Sequence, residues 1–334
     1  MNERMLQRIG VIGAGAWGTA LAGVARRAGR DVVVWARDPA LAETVNRTNE
    51  NPLYLPGIKL DPAIQATGDL AVAAACDALL LVCPAQALRG VTAALAPYLD
   101  SGKLLAICAK GFEQATGKYM SQVLAETCPN AVPAVLSGPS FAQDVARGLP
   151  TAVTLACGDK TKGMALAQAL NHVTFRPYYS ADVLGAQIGG AVKNVLAIAC
   201  GISEGKRLGA SARAALTTRG FSELSRLGLA LGAQAETLAG LSGLGDLILT
   251  CSSPQSRNMS LGMALGEGRS LDDILGARRS VSEGVYTAGA VMRLADTHGI
   301  DMPIAASIHA IVSGGLAIDD AIGQLLSRPL KIED

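Results

Sequence analysis

Short apolar runs punctuate the first 180 residues: Ile9–Ile12, Val32–Trp35, Ala78–Cys83, Leu104–Ala109, Ala134–Ser137 and Ala152–Ala156. They are too short for helices and hold few polar positions, which fits strands buried on both faces. Helix-length segments separate them, so the pattern predicts βαβ units and a mostly parallel, doubly wound sheet. After about Tyr179 the pattern changes. The segment Asp182–Lys206 is long, rich in Ala, Val, Leu, Ile and Gly, and charged in its middle only at Lys193, which predicts a helix buried on most sides. Further helical periodicity covers about 211–231, 258–266, 285–299 and 303–326, with no strand-like run among them. The expected fold class is therefore α/β, with a sheet domain over residues 1–185 and an all-α C-terminal domain over residues 186–334. The boundary falls between about 180 and 190, with no low-complexity linker, so the two domains should pack tightly.

Composition narrows the function classes. The 334 residues are 50% hydrophobic and 17% charged, which is a core-forming chain and not a disordered one. A net charge of +1 and an aromatic content of 4% supply neither the field nor the stacking platforms that nucleic-acid binding uses. The seven cysteines form no CxxC pair and read as small buried thiols of a reducing compartment. The three histidines stand at no metal-ligand spacing, so no metal site is expected. MNERMLQRIG lacks the apolar stretch of a secretion signal, and nowhere do 18 uninterrupted apolar residues occur. A cytoplasmic protein without membrane insertion follows as the expectation.

Candidate chemistry begins where the first strand ends. Gly13-Ala14-Gly15-Ala16-Trp17-Gly18 is a GxGxxG sequence placed between a strand and a helix. In that context one glycine makes the tight turn, the next admits a pyrophosphate to the backbone, and the third lets helix pack on strand. A dinucleotide on a Rossmann-like sheet is favoured over a plain glycine-rich turn. The second strand ends in Arg37-Asp38-Pro39. Asp38 before Pro39 has the form of a helix N-cap, which leaves Arg37 to meet a 2′-phosphate and favours NADP(H) over NAD(H).

Polar groups that could face a nicotinamide lie at three places. Lys110 ends a buried strand, Ser137-Gly138-Pro139-Ser140 follows another, and Gly189-Gly190-Ala191-Val192-Lys193-Asn194 lies inside the long apolar helix. The first two have plain alternatives, a solvated lysine and a Gly-Pro turn. Lys193 is harder to dismiss, because an ammonium amid apolar residues must be paired, face a cavity or lose its proton. Burial and a second lysine would lower its pKa from about 10.4 toward the range useful for proton exchange. Gly189, Gly190 and Ala191 are expected to leave space for a ligand. Asp246 could balance or orient Lys193, or could simply cap a helix. Arg257, between Ser256 and Asn258, offers a fork of donors for a phosphate or carboxylate, unless it caps a helix beginning at Asn258. The Val281-Ser282-Glu283-Gly284 segment reads as a turn.

Together these motifs resemble the bacterial-type NAD(P)-dependent glycerol-3-phosphate dehydrogenases. The likeness runs nearly end to end through VIGAGAWGTALA, AKGFE, SGPSFA, GGAVKN, GLGDL, QSRN and SEG. It implies reduction of dihydroxyacetone phosphate to sn-glycerol 3-phosphate with NADPH or NADH, supplying glycerophospholipid synthesis. By the resemblance, Lys193 is the proton donor or acceptor, with Lys110 and Asp246 beside it. Gly138, Ser140, Asn194, Ser256, Arg257 and Asn258 join those three around the phosphorylated triose. Ala16, Trp17, Arg37, Lys110, Ala142, Arg257, Val281 and Glu283 join the glycines at the cofactor. Ala16 stands where a serine is frequent, and Ser282 stands in an often apolar position. A β-hydroxyacid or 6-phosphogluconate type dehydrogenase and a non-catalytic dinucleotide sensor are the alternatives. The apolar helical domain makes a homodimer the expected assembly.

Overall fold

The computed structural model describes residues 6–277 and 282–329. Ten strands occur among them: β1 (Arg8–Ile12), β2 (Asp31–Trp35), β3 (Glu50–Asn51), β4 (Leu55–Lys59), β5 (Gln65–Thr67), β6 (Ala78–Leu81), β7 (Leu104–Ile107), β8 (Val132–Ser137), β9 (Thr151–Cys157) and β10 (Phe175–Ser180). Helices α1 (Ala16–Arg27), α2 (Pro39–Thr48), α3 (Leu70–Ala74), α4 (Leu88–Leu95), α5 (Met120–Thr127), α6 (Ala142–Ala146) and α7 (Lys160–Leu170) fall between or beside them. The second half holds α8 (Val183–Gly205), α9 (Ala210–Ala230), α10 (Ala235–Leu238), α11 (Asp246–Ser252), α12 (Arg257–Gly266), α13 (Leu271–Gly276), α14 (Glu283–His298), α15 (Pro303–Val312) and α16 (Ile318–Leu326). The α/β class with a helical C-terminal domain is thus the observed one.

Eight strands form one sheet in the order β10-β9-β8-β7-β6-β1-β2-β5. All neighbours run parallel except β8 and β9, which are antiparallel. Strand order reverses at β1, between β2 on one side and β6 on the other. The crevice beyond such a reversal is where open α/β sheets take ligands, and it is where β1 delivers Gly13.

The hairpin β3–β4, the short β5 and the edge strand β10 are absent from the pattern-based expectation. Strand β10 reads Phe-Arg-Pro-Tyr-Tyr-Ser, polar and proline-bearing, a composition tolerated only at a sheet edge. The helix expected over 303–326 is two helices, because the chain between Val312 and Ile318 turns through Gly314 at φ +74°.

Helix α8 is long and apolar enough to cross a membrane, yet it is buried inside the protein, and that burial accounts for its composition. Asp182 caps it, accepting from Gly185 N–H at 2.8 Å. Its second half packs backbone to backbone on α12. A Cβ on Gly201 would lie 2.1 Å from Met259 O, and one on Gly262 would lie 2.1 Å from Ile198 O. Gly205 and Gly266 repeat the contact one turn on, so the two helices run in the same direction, locked by glycines. This packing brings the start of α12 alongside Asn194 of α8.

A second buried charge has a structural place. Glu223 of α9 is 2% exposed and accepts from Ile304 N–H at 2.7 Å and Ala305 N–H at 3.1 Å, which caps α15. Burial pushes its carboxyl up to about 7, against the pull of those two amides.

Candidate active site

The glycine turn has three distinct local requirements. Gly13 sits at φ +124°, and a Cβ there would lie 2.9 Å from Val82 O of the neighbouring strand end. A Cβ on Gly18 would strike Gly13 O at 1.8 Å, so this residue fixes how α1 leaves β1. At Gly15, the N-cap of α1, a Cβ would meet nothing within 4 Å. The site in front of a helix N-terminus is therefore kept clear of side chain, which fits an anionic group such as a dinucleotide pyrophosphate. Ala16 and Trp17 open α1 behind it, and the buried Trp17 Nε1 atom has no hydrogen-bond partner among the described residues.

Arg37 lies exposed just past β2, while Asp38 caps α2, accepting from Ala40 N–H at 3.0 Å with Pro39 at the first helical position. The cap at Asp38 is the one the sequence indicates.

The two lysines that the sequence singles out meet over one carboxylate. Asp246 is 1% exposed; its Oδ1 lies 2.5 Å from Lys193 Nζ and its Oδ2 lies 2.7 Å from Lys110 Nζ. Thr250, one turn along α11, accepts from Lys193 Nζ at 2.8 Å. Lys110 also donates to Gly138 O at 2.9 Å, and Ser140 Oγ donates to the same carbonyl at 3.0 Å. Two lysines thus share one buried acid. Desolvation dominates at Lys193 and pulls its ammonium down to about 8 from an ordinary 10.5. Asp246 opposes that shift, and the charge on Lys110 adds to it.

Local backbone explains how Asp246 arrives there. Leu241–Gly245 forms a widened π-type turn, closed by Gly245 N–H to Gly240 O at 3.0 Å, and Asp246 is the first residue after it. Gly189 of α8 receives this turn: a Cβ there would lie 2.5 Å from Ser242 O. A Cβ on Gly190 would lie 2.7 Å from Ser137 Oγ. The expectation that Gly189, Gly190 and Ala191 leave ligand space is therefore corrected. Protein segments fill that space, and the glycines let the π-type turn and the end of β8 approach Lys193.

The asparagines brace this arrangement. Asn194 Nδ2 donates to Lys110 O at 3.0 Å, which holds the Lys110 backbone, and to Gly190 O of its own helix at 3.3 Å. Asn258 Nδ2 donates to Asn194 Oδ1 at 2.9 Å, and Asn258 Oδ1 accepts from Gly284 N–H at 3.0 Å. The cap of α12 is Ser256, whose Oγ accepts from Met259 N–H at 3.2 Å, so Arg257 is the first helical residue and not the cap.

Across the crevice, Glu283 Oε1 accepts from Ala85 N–H at 3.2 Å, beyond the end of β6. Burial raises the Glu283 carboxyl, while the Ala85 amide and the charge of Arg257 pull the other way. Gly111, next to Lys110, abuts both Ala85 and Glu283. A continuous lining therefore links the glycine turn through Val82–Ala85 to Lys110 and Lys193. Ala142 begins α6. Val281 lies outside the described residues. Thr250 escaped the sequence reading, although its place four residues after Asp246 on a helix puts it on the same face.

Comparison with known proteins agrees with this geometry. The sequence profiles for the N-terminus and C-terminus of NAD-dependent glycerol-3-phosphate dehydrogenase match residues 8–163 and 182–323. The chain belongs to the NAD-dependent glycerol-3-phosphate dehydrogenase family. The glycerol-3-phosphate dehydrogenase (NAD(P)+) of Parvibaculum lavamentivorans is 64% identical over 327 residues, 98% of each chain. Its counterpart from Maricaulis maris is 61% identical over the same span and coverage. The crystal structure of glycerol-3-phosphate dehydrogenase from Coxiella burnetii superimposes with a TM-score of 0.92 at 38% identity, covering 97% of this chain and 100% of that one.

In a glycerol-3-phosphate dehydrogenase built this way, burial lowers the pKa of the Lys193 ammonium and the charge on Asp246 resists that shift. Replacing it as Asp246→Asn leaves Lys193 facing Lys110 without a counter-charge, so the Lys193 pKa drops below about 8. In the variant, the midpoint of an NMR titration of the isotopically labelled Lys193 Nζ group moves to lower pH. A midpoint that stays in place, or moves up, contradicts this coupling.

Proposed function

We propose that the chain reduces dihydroxyacetone phosphate to sn-glycerol 3-phosphate with NADPH or NADH, supplying glycerophospholipid synthesis. The observation that carries this reading is the Lys110–Asp246–Lys193 bridge at the open end of a sheet whose first turn is kept clear at Gly15. The division of labour follows the chain. Residues 1–185 hold the dinucleotide, residues 186–334 supply Lys193, Asp246 and the 256–258 segment, and Lys110 serves both.

The reduced nicotinamide, when bound, supplies a hydride. Gly13, Gly15, Gly18, Ala16, Trp17, Arg37, Lys110, Ala142, Arg257, Val281 and Glu283 make up the proposed cofactor set. Arg257, Asn258 and Ser256 face the substrate phosphate, with Gly138, Ser140 and Asn194 supporting Lys110. Negative charge grows on the C2 oxygen as the carbonyl is reduced. Lys193 is the general acid: its Nζ–H bond breaks as an O–H bond forms at that oxygen, leaving a neutral amine that Asp246 and Thr250 keep in place. A lysine with a pKa of about 8 can give up this proton near neutral pH and regain it afterwards. Lys110 adds positive charge at the same oxygen, and the phosphate anchor holds the carbonyl at reacting distance.

A cytoplasmic location belongs to the same reading, supported by seven buried free thiols and by an apolar helix α8 used up inside the fold.

Two variants test the assignments. Lys193→Met should keep the fold and NADPH binding while losing about 10²–10⁴ in turnover, the usual worth of a general acid; near-normal turnover in a folded variant removes Lys193 from the reaction. Arg37→Ala should weaken NADPH much more than NADH in a binding titration, and equal losses would show that Arg37 does not read the 2′-phosphate.

A further inference from the structure

The glycine turn is held from behind by a residue with no place in the sequence motifs. Asn51 ends β3, 1% exposed, in the hairpin that crosses over the start of α1. Its side chain is fully engaged. Nδ2 donates to Ala14 O at 2.8 Å and to Thr19 Oγ1 at 2.8 Å, and Oδ1 accepts from Tyr54 N–H at 3.1 Å. One amide group therefore ties together the middle of the turn, the first turn of α1 and the tip of the β3–β4 hairpin.

The peptide between Ala14 and Gly15 is trans and planar, so its C=O and N–H point in opposite directions. Gripping the Ala14 carbonyl on one side thus fixes the direction of the Gly15 N–H on the other. Something must do so, because glycine at position 15 imposes little backbone preference of its own. Thr19 adds a second point of hold: it is 3% exposed, and its N–H bonds to Gly15 O at 2.9 Å. Asn51 therefore reaches both ends of the Gly15 residue, one directly and one through Thr19.

We propose that Asn51 is a positioning residue for the dinucleotide, which aims the Gly15 amide at the pyrophosphate by holding the Ala14 carbonyl and Thr19. This rests on the reading of the turn as a dinucleotide site. The residue touches neither substrate nor Lys193, so its effect belongs to cofactor affinity and not to the chemical step.

The test is the affinity of the full-length protein for NADPH, measured by fluorescence titration, together with steady-state constants. Asn51→Asp keeps the shape and the acceptor for Tyr54 but removes both donors. It should raise the Kd for NADPH by about ten-fold or more, the scale of a lost buried hydrogen bond. The turnover at saturating NADPH should stay within about two-fold of wild type, and the KM for dihydroxyacetone phosphate should not move; these two bounds follow from the distance of Asn51 from the chemistry. Thr19→Val, nearly isosteric, should raise the Kd in the same direction and decides the matter if the first variant does not fold. An unchanged Kd in a folded variant overturns the proposal. So does a joint loss in Kd, turnover and triose KM, which would mark general loosening of the fold. If the wild-type protein binds neither NADPH nor NADH, the dinucleotide reading falls first and takes this assignment with it.

Discussion

One carboxylate shared by two ammonium groups in an apolar interior is the constraint on which the rest of this structure depends. Asp246 alone cannot neutralise both Lys110 and Lys193, which lie at 2.7 and 2.5 Å from its two oxygens. The charge imbalance shows where desolvation wins. Lys193 lies deeper, so its ionised form is the one disfavoured, even with the acid 2.5 Å away. Lys110, with 18% of its side chain exposed, keeps a route to solvent and to the crevice. A lysine whose ammonium is destabilised by burial is thereby placed beside a second lysine, a pairing suited to an oxygen that becomes negative during reaction.

The helical half of the molecule exists, in large part, to hold that arrangement rigidly. Helix α8 carries Lys193 and is surrounded on all sides. The glycines at 189 and 190 admit the π-type turn that delivers Asp246, and the Gly201–Gly262 and Gly205–Gly266 contacts seat α12 so that Asn258 reaches Asn194. Asn194 then holds the Lys110 backbone, which belongs to the sheet half. The two halves are coupled through polar groups whose donors are spent on one another, so a small shift of α12 would be felt at Lys110. Buried ionisable groups need not be chemical, as Glu223 shows by capping α15.

Much of this was legible in the sequence, and the gaps have physical causes. The buried strands announced themselves because both their faces need apolar residues, and Lys193 stood out because its helix offers no other charge. The edge strand β10 and the β3–β4 hairpin were not legible, since strands open to solvent carry mixed polar residues and a proline or glycine. The same reason hid Asn51: its importance comes from reaching a carbonyl 37 residues away, which no local pattern encodes. The small size of Gly189 and Gly190 is legible, but what they admit is the backbone of the π-type turn and the Ser137 and Lys110 side chains, not a ligand. The partnership of Lys193 with Asp246 was inferable only as a possibility of charge, because the π-type turn that realises it leaves no periodic trace.

The most direct measurement is an NMR titration of the Lys193 Nζ group in protein carrying isotopically labelled lysine, assigned with a Lys193→Met sample. A midpoint near 8, more than a unit below an ordinary lysine at about 10.4, is the result required by an ammonium held between Asp246 and Lys110 in a desolvated site. Titration at the ordinary lysine value would show that Lys193 is solvated and would contradict the account of how this protein moves its proton.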